Sequence, residues 1–579
     1  MATSQRARLS SLLQYRPPRA AVFLAALTFV AAATIRTWRP HTWFRMATSL
    51  AHNPDHLVIG KASISQLLEG LESGRVTSKQ LVETYLARIE EVNVKVHAVS
   101  QVNPHAIDIA VERDQERESG QIRGILHGIP ILVKDVFCTT DEMNTTAGFS
   151  GLVGARPNVE SAATRKLRDS GAIILGKATM TEWLALRNLG GCPNGWSPVG
   201  GWSSGIFHGL QDPGGSSTGS ALATALGLAA AALGTETDGS IVNPARSSGV
   251  IGLKPTSGLV SRSGSLVASE WQDSVGVLAK SILDAAHVLT AIAGNNPGDP
   301  WSQPDPRDVL ARPRPADGTD FRQFCNASAL NGMRIAVPRH VMSAKPWVAE
   351  KFEEALEVIK SLGATIVDSA TFPEWTLQFY ENHQEEMEFS FYASFRNNVE
   401  TFLGLMKHNP HNLHTLRDLV RFTETTPKEE PEQWNFSTLV RAADDGDEAD
   451  RDTGRFMASQ DLRLHIGMEI GRLLDKYECD VLAVPLWTET TSSIGGNPQI
   501  AVPMPPHPTD YPLPSKVKFG RVSTGPNIPT SITFIGRRFD DGLVISAAYS
   551  FEQATHHIDK FRPIVAPTSE LFKRNNVKI

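Results

Sequence analysis

Three residues have the side chains that acyl transfer requires, and two of them lie in glycine-rich turns. Ser216 lies in GGSSTGS (214–220), and Ser240 follows 24 residues later in TETDGSIVNPA (235–245). A serine in such a turn offers a nucleophilic hydroxyl, and neighbouring backbone N–H groups can hold the oxyanion that the reaction creates. Lys134 ends the apolar stretch IPILVK (129–134). Burial lowers the pKa of a lysine, and the neutral amine can then accept a proton.

Other interpretations of these residues stay open at this point. Gly-Ser turns commonly cap helices, and a lysine at the end of a strand can reach solvent. Ser217 is also the centre of a G-x-S-x-G match, which predicts a serine esterase if a late histidine such as His556 completes the site. That pattern requires a strand directly before the serine, and the preceding SSGIFHGLQDPG (203–214) is typical of a loop.

The elements around these turns alternate between strand and helix patterns. Apolar strand patterns recur at AIILGK (172–177), VIGLKPT (250–256), GMRIAVP (332–338), DVLAVP (480–485), QIAVPMP (499–505) and SITFIGRRF (531–539). Helical spacing of apolar residues covers 63–99, and the Ala/Leu run 220–233 is predicted to be one buried helix. This alternation predicts an α/β sandwich. Residues 381–463 are charged and mostly helical, which indicates an insertion whose acidic stretch 444–452 faces solvent.

Composition and charge exclude several functional classes. Hydrophobic residues make up 41% of the 579 positions, and the net charge is −6, so no nucleic-acid partner is expected. The four cysteines form no CxxC pair, and no histidines have close metal-ligand spacing, so no metal site is predicted.

Residues 1–54 are predicted to be separate from the fold. They contain seven arginines and no acidic residue, and 20–35 is an unbroken apolar run of 16 residues. This run is slightly short for a membrane span. It is interpreted as a membrane anchor, as a cleaved targeting segment for the secretory pathway or an organelle, or as a disordered extension before a start at Met46 in a cytoplasmic protein.

The motifs together resemble those of the amidase signature family. The resemblance rests on GGSSTGS, on GTETDGSIVNPA (234–245), on VIGLKPTSGLVSR (250–262) and on the lysine strand GIPILVKD (128–135). It implies an α/β/α sandwich with a mixed central sheet enclosed by helices, in a single domain over 60–565. It also implies an amidohydrolase that needs no cofactor and cleaves a linear carboxylic amide to an acid and an amine or ammonia.

The resemblance assigns a role to each residue. Lys134 is the base, Ser216 is a bridging serine beside a cis peptide bond, and Ser240 is the acylated nucleophile. The backbone N–H groups of Thr237, Asp238, Gly239 and Ser240 hold the oxyanion. Independently of the resemblance, the apolar residues around Trp183 and Leu184 and the Trp-rich loop at Trp196 and Trp202 are candidates for lining a substrate pocket, and core packing is the alternative role for each of them.

Two departures from the family pattern affect this interpretation. Asp238-Gly239 replaces the usual Gly-Gly before the nucleophile, and Val242 replaces a common arginine. Both favour a branch distinct from the catalytic subunits of tRNA-dependent amidotransferases. That type of subunit, the esterase that uses Ser217, and a membrane-tethered binding protein without activity remain the alternatives. The sequence leaves the oligomeric state open.

Overall fold

A mixed sheet of 11 strands, flanked by helices, organises the protein. The structure is a computed structural model that describes residues 57–303, 306–485 and 491–571. The predicted fold class is confirmed. The strands are β1 Val99–Val102, β2 Pro130–Lys134, β3 Arg156–Pro157, β4 Ile173–Ala178, β5 Trp196–Ser197, β6 Gly201–Trp202, β7 Ala231–Glu236, β8 Ile251–Lys254, β9 Ser274–Ala279, β10 Arg334–Ala336, β11 Thr365–Val367, β12 Met406–His408, β13 Val481–Pro485, β14 Gln499–Met504 and β15 Thr530–Ile535.

The strand order in the large sheet is β1-β4-β2-β7-β9-β8-β14-β15-β13-β10-β11. Strand β2 runs parallel to both of its neighbours, β4 and β7, whereas β9, β8, β14 and β15 pair antiparallel. Every residue of β2, β4 and β7 is buried. Strands covered on both faces read as continuous apolar runs, which explains why the sequence showed no alternation there.

The helices lie around this sheet and in one long segment between strands. They are α1 Ile64–Glu72, α2 Ser78–Val96, α3 Ala106–Glu118, α4 Ala162–Asp169, α5 Thr218–Ala225, α6 Val242–Ser248, α7 Ile282–Ile292, α8 Pro346–Ser361, α9 Leu377–Gly404, α10 Leu416–Thr425, α11 Ser437–Arg451, α12 Thr453–Gly467, α13 Glu469–Lys476, α14 Thr491–Ile494 and α15 Asp541–Thr555. We call α9 to α12 the helical segment. It covers the region that the sequence predicts to be an insertion.

The single helix predicted over 220–233 is wrong. The run divides into α5, which ends at Ala225, and β7, which begins at Ala231. Gly227 lies between them with φ +61°, a left-handed conformation that favours glycine and ends the helix. Periodicity could not reveal the division, because a fully buried strand and a buried helix both read as uniform apolar runs.

The N-terminal prediction falls on residues that the structure does not describe. Residues 1–56, which include the apolar run 20–35, lie outside the described residues, so the membrane-anchor interpretation stays untested by the structure. Among the described helices, none combines the length and apolar character of a membrane span.

Candidate active site

The predicted lysine and serines meet at one edge of the sheet. Lys134 is the last residue of β2, and Ser240 lies in the loop that follows the parallel neighbour β7. Because the two strands are parallel, their carboxyl ends lie at the same edge, where α/β proteins usually place their sites. Ser216 lies just before α5, the helix that leads into β7. The topology therefore brings together residues that are more than a hundred positions apart.

The three side chains form an unbroken chain of contacts. Lys134 Nζ lies 2.9 Å from Ser216 Oγ, which lies 2.9 Å from Ser240 Oγ. The peptide bond between Gly215 and Ser216 is cis. Lys134 and Ser216 have no exposed surface, and Ser240 is 6% exposed. A hydroxyl proton can rotate toward either neighbour, so the chain can pass a proton from Ser240 to Lys134 through Ser216.

Burial changes the charge state of Lys134. Loss of hydration lowers the pKa of Lys134 to about 7, although the carboxylates of Asp273 and Glu236 partly oppose this shift. The amine also contacts Ser217 Oγ at 3.0 Å and Thr235, at 3.0 Å to Oγ1 and 3.2 Å to the carbonyl oxygen. Near neutral pH, a large fraction of Lys134 is therefore neutral and able to accept a proton.

Two other lysines at this end of the sheet are equally buried but contact no candidate serine. Lys177 on β4 donates to the carbonyl oxygen of Phe137 at 2.5 Å and to Thr145 Oγ1 at 3.0 Å. Lys254 on β8 donates to the carbonyl oxygen of Asn497 at 2.7 Å. Burial lowers the pKa of both. Geometry, and not burial alone, distinguishes Lys134.

The Glu236 carboxylate fixes the conformation of the loop that carries Ser240. The Glu236 carboxylate accepts the N–H groups of Ile241 at 2.6 Å and Val242 at 2.9 Å, where α6 begins. Within the described part of the chain, the N–H groups of Gly239 and Ser240 have no acceptor. Gly239 has φ +74°, which a side chain would disfavour. The turn thus presents free donors beside the Ser240 hydroxyl, as an oxyanion site requires.

A cavity of about 310 Å³ opens in front of Ser240. Leu184, Thr237 and Asp238 lie in its wall, as do side chains from the helical segment. Trp183 is fully buried in the core, and the residues that line the cavity do not include Trp183, Trp196 or Trp202. Of the apolar residues proposed from sequence for the pocket, only Leu184 reaches it.

Ser217 and His556 do not form a site. The Ser217 hydroxyl lies 3.0 Å from Lys134 Nζ and 3.0 Å from the carbonyl oxygen of Thr235. His556 follows the last residue of α15, and its backbone N–H donates to the carbonyl oxygen of Glu552. In the described residues, no histidine side chain is hydrogen-bonded to any of the three serines, and Ser217 follows a loop. The geometry therefore gives no support to the esterase alternative.

Much of the cavity wall has no recognisable signal in the sequence. Its residues from the helical segment are Tyr380, Met387, Glu388, Phe391, Tyr392 and Arg463. These residues lie more than a hundred positions from the glycine-rich turns. The hydrophobic pattern of an amphipathic helix is the same whether its apolar face packs on a core or lines a cavity. Thr235 and Asp273, which surround Lys134, were also missed. Their position beside the lysine depends on strand pairing that no local pattern shows.

A buried ion triad connects the cavity wall to the helical segment. Arg187 Nη1 lies 2.8 Å from Glu182 and 3.0 Å from Glu429, and all three side chains are at most 1% exposed. Arg187 Nη2 also donates to the carbonyl oxygens of Glu429 at 2.6 Å and Trp434 at 2.9 Å. Glu182 begins the turn 182–185, in which Trp183, Leu184 and Ala185 all have positive φ. The triad holds this costly conformation beside the cavity.

Arg187→Met is therefore expected to destabilise the protein by about 3–5 kcal/mol, because it leaves the buried acidic side chains of Glu182 and Glu429 without the guanidinium that they both contact. Arg339→Met is the matched control. Arg339 pairs with Glu353 at 2.6 Å, but both side chains are exposed, and such pairs contribute at most about 1 kcal/mol. Urea unfolding of both variants measures the difference. Equal losses of free energy would show that the triad does not hold the turn.

Comparisons with known proteins identify one family over most of the chain. The amidase family model matches residues 80–545. A protein of Arthroderma benhamiae assigned to the amidases is 36% identical over 546 residues, which cover 88% of both chains. The structure of the peptide amidase from Stenotrophomonas maltophilia is similar with a TM-score of 0.73 and 31% identity, over 89% of this chain and 99% of that one. The A-type subunit of the glutamyl-tRNA(Gln) amidotransferase from Streptomyces coelicolor is 35% identical but covers only 53% of this chain and 59% of its own.

Proposed function

The chain belongs to the amidase family and hydrolyses carbon–nitrogen bonds of amides, and we propose that it does so through an acyl-enzyme on Ser240. One observation carries the proposal. A buried lysine, a bridging serine and a second serine form an unbroken contact chain that ends at a cavity. Lys134 is the base, Ser216 relays the proton, and Ser240 is the nucleophile.

Acylation begins with neutral Lys134. The amine accepts the proton of Ser216 while Ser216 accepts the proton of Ser240, and Ser240 Oγ forms a bond to the amide carbon. The oxyanion that develops lies against the free N–H groups of the 237–240 turn. When the carbon–nitrogen bond breaks, the proton returns through Ser216 to the leaving nitrogen. The products of this half-reaction are an ester on Ser240 and ammonia or an amine.

Deacylation uses the same relay, with water in place of the Ser240 hydroxyl as the proton donor. Water attacks the ester carbon and gives its proton through Ser216 to Lys134, and the carbon–oxygen bond to Ser240 then breaks. The oxygen of Ser240 recovers its proton from the relay, and the carboxylic acid leaves. Because Lys134 ends each turnover neutral, no other proton acceptor is required.

The comparisons favour a hydrolase over a component of an amidotransferase. The relatives that span most of the chain are amidases, whereas the match to the amidotransferase covers about half of it. Localisation in a membrane, the secretory pathway, an organelle or the cytoplasm stays a prediction that depends on residues 1–56. A small-molecule amide is the partner that the site requires.

We expect the purified protein to release ammonia from simple primary amides and to react with a fluorophosphonate at Ser240 alone. The phosphorus reagent requires an activated hydroxyl, and the contact chain activates only that serine. Peptide mass mapping of the labelled protein identifies the residue. Label on Ser217, or hydrolysis without any label, would contradict the proposed nucleophile.

A further inference from the structure

The cavity in front of Ser240 has one wall from the catalytic loops and another from the helical segment. Asp238 lies on the first wall, two residues before the nucleophile, and Arg463 of α12 lies on the second. The mechanism above uses neither side chain. Both are ionisable groups with bonding capacity that the described residues leave unused.

Arg463 has a donor without an acceptor. Its Nη1 donates to the carbonyl oxygen of Met387 at 2.8 Å, and its guanidinium lies 5.4 Å from the centre of the Phe391 ring. Its Nη2 is buried and, among the described residues, has no hydrogen-bond partner. The residue is only 5% exposed. Burial lowers the pKa of Arg463 only to about 10, so the group remains a cation at neutral pH.

A buried charged donor without an acceptor is unfavourable, so its presence at a cavity wall points to a ligand atom. The carboxylates that surround Arg463 are those of Glu270, Asp238 and Glu388. None of them forms an ion pair with it among the described residues, and Glu388 is instead paired with Arg441 at 2.7 Å.

Asp238 provides the complementary acceptor. It is exposed in the cavity wall, and its Oδ1 accepts the Ser493 hydroxyl at 2.7 Å. Its Oδ2 has no partner among the described residues. Asp238 and Arg463 lie close enough to influence one another electrostatically without touching. A group that both accepts and donates hydrogen bonds would fit between them.

We propose that Asp238 and Arg463 together bind one neutral amide group in the acyl part of the substrate. The Asp238 carboxylate accepts its N–H, and the Arg463 guanidinium donates to its carbonyl oxygen. This inference rests on the proposed function and defines the substrate further, as a carboxamide whose acyl chain carries a second amide. It gives the Asp238-Gly239 departure from the family pattern a role in specificity.

The charges of the cavity favour a neutral group. A substrate carboxylate near Arg463 would also approach Asp238 and Glu388, whereas a substrate ammonium near Asp238 would also approach Arg463. An amide has no net charge and matches both signs through its dipole. Phe391, Tyr392 and Met387 of α9 leave apolar surface for a side chain beside it.

The test compares three primary amides that share a phenyl group and differ at one position. N-acetyl-phenylalaninamide has the second amide, 2-benzyl-4-oxopentanamide replaces its N–H with CH2, and 3-phenylpropanamide lacks the whole group. We expect kcat/KM of the wild-type protein to fall about tenfold or more at each step, because each step leaves a charged partner without its hydrogen bond. Ammonia release is the measurement.

The variants are compared by ratios of kcat/KM, so a general loss of activity cancels. Arg463→Met is expected to remove the preference for the ketone over 3-phenylpropanamide. Asp238→Ala is expected to remove the preference for the acetamide over the ketone. Lys518→Met is the matched control, because it removes an exposed cation from the same cavity and is expected to change neither ratio.

Three results would overturn the inference: equal kcat/KM for all three amides, unchanged ratios in Arg463→Met, or faster hydrolysis of unacylated phenylalaninamide or of succinamic acid. The last two substrates carry an ammonium and a carboxylate. Failure of the wild-type protein to hydrolyse any of these amides, or to label at Ser240, would instead refute the proposed function. Failure of the amide-binding inference is thus distinguishable from failure of the proposed function.

Discussion

Replacing Ser240 with alanine is expected to lower kcat by about 10⁴-fold or more and to abolish labelling by a fluorophosphonate. Ser240 Oγ is the only hydroxyl in the contact chain that also borders the cavity, so its removal leaves no atom to form the acyl-enzyme. The small change in volume at a residue in a turn leaves the fold intact. Single-turnover ammonia release and intact-protein mass measure the two effects.

Ser217→Ala is the matched control for this experiment. Its hydroxyl also contacts Lys134, at 3.0 Å, but it donates to the carbonyl oxygen of Thr235 and does not contact Ser240. Ser217→Ala is therefore expected to keep the label and to lose at most about tenfold in kcat, which is the scale of one hydrogen bond. A protein that keeps its label in Ser240→Ala and loses it in Ser217→Ala would reverse the assignment of the nucleophile.

Local sequence patterns identify the three candidate residues of this site, but their positions next to one another depend on strand pairing in the folded protein. Lys134 stood out because a lysine at the end of an apolar strand is unusual, and Ser216 and Ser240 stood out through their glycine-rich turns. Their adjacency follows from the parallel pairing of β2 with β7, which the Ala/Leu run concealed because its second half was interpreted as helix. The family resemblance, and not periodicity, supplied the roles and the pairing of the three residues.

The opposite wall of the cavity was beyond prediction for a different reason. Arg463 lies in a segment rich in charged residues, and nothing in the sequence distinguishes a buried guanidinium from an exposed one. Burial of Arg463 arises from the packing of α12 against α9, two helices in which the contacting residues Arg463 and Met387 are 76 positions apart. The proposed substrate-binding residues are therefore brought together by tertiary contacts, whereas the catalytic residues lie in local motifs that are recognisable in one sequence.

The second large effect concerns the base. Lys134→Met is expected to lower kcat by on the order of 10³-fold or more, because the relay then has no final proton acceptor. The wild-type kcat/KM is expected to rise with pH and to level off above about pH 7, since only the neutral amine is active and the pKa of Lys134 is about 7. Lys134→Met is expected to lose this rise. A variant that keeps the same pH profile would exclude Lys134 as the base.

Measuring the stability of Lys134→Met distinguishes loss of the catalytic base from general damage to the fold. The folded state holds the pKa of Lys134 at about 7, below the ordinary value of 10.5, so the unfolded chain binds more protons between these values. The contribution of Lys134 to stability therefore rises with pH across that window, and below pH 7 the fold bears the full cost of a buried ammonium. Lys134→Met removes this cost, so it is expected to gain stability over the wild type at pH 6 and less at pH 10.

Lys177→Met is the matched control, since Lys177 is equally buried on the neighbouring strand but contacts Phe137 and Thr145 instead of the serines. Lys177 is the cation that offsets the buried Asp135, whose pKa burial raises to about 6. Its removal is expected to lower stability and to leave the pH profile of kcat/KM unchanged. The two variants should therefore differ in opposite directions: Lys134→Met inactive and more stable at pH 6, Lys177→Met active and less stable. Loss of activity in both, with equal loss of stability, would show that burial of a lysine at this edge is structural and that the base lies elsewhere.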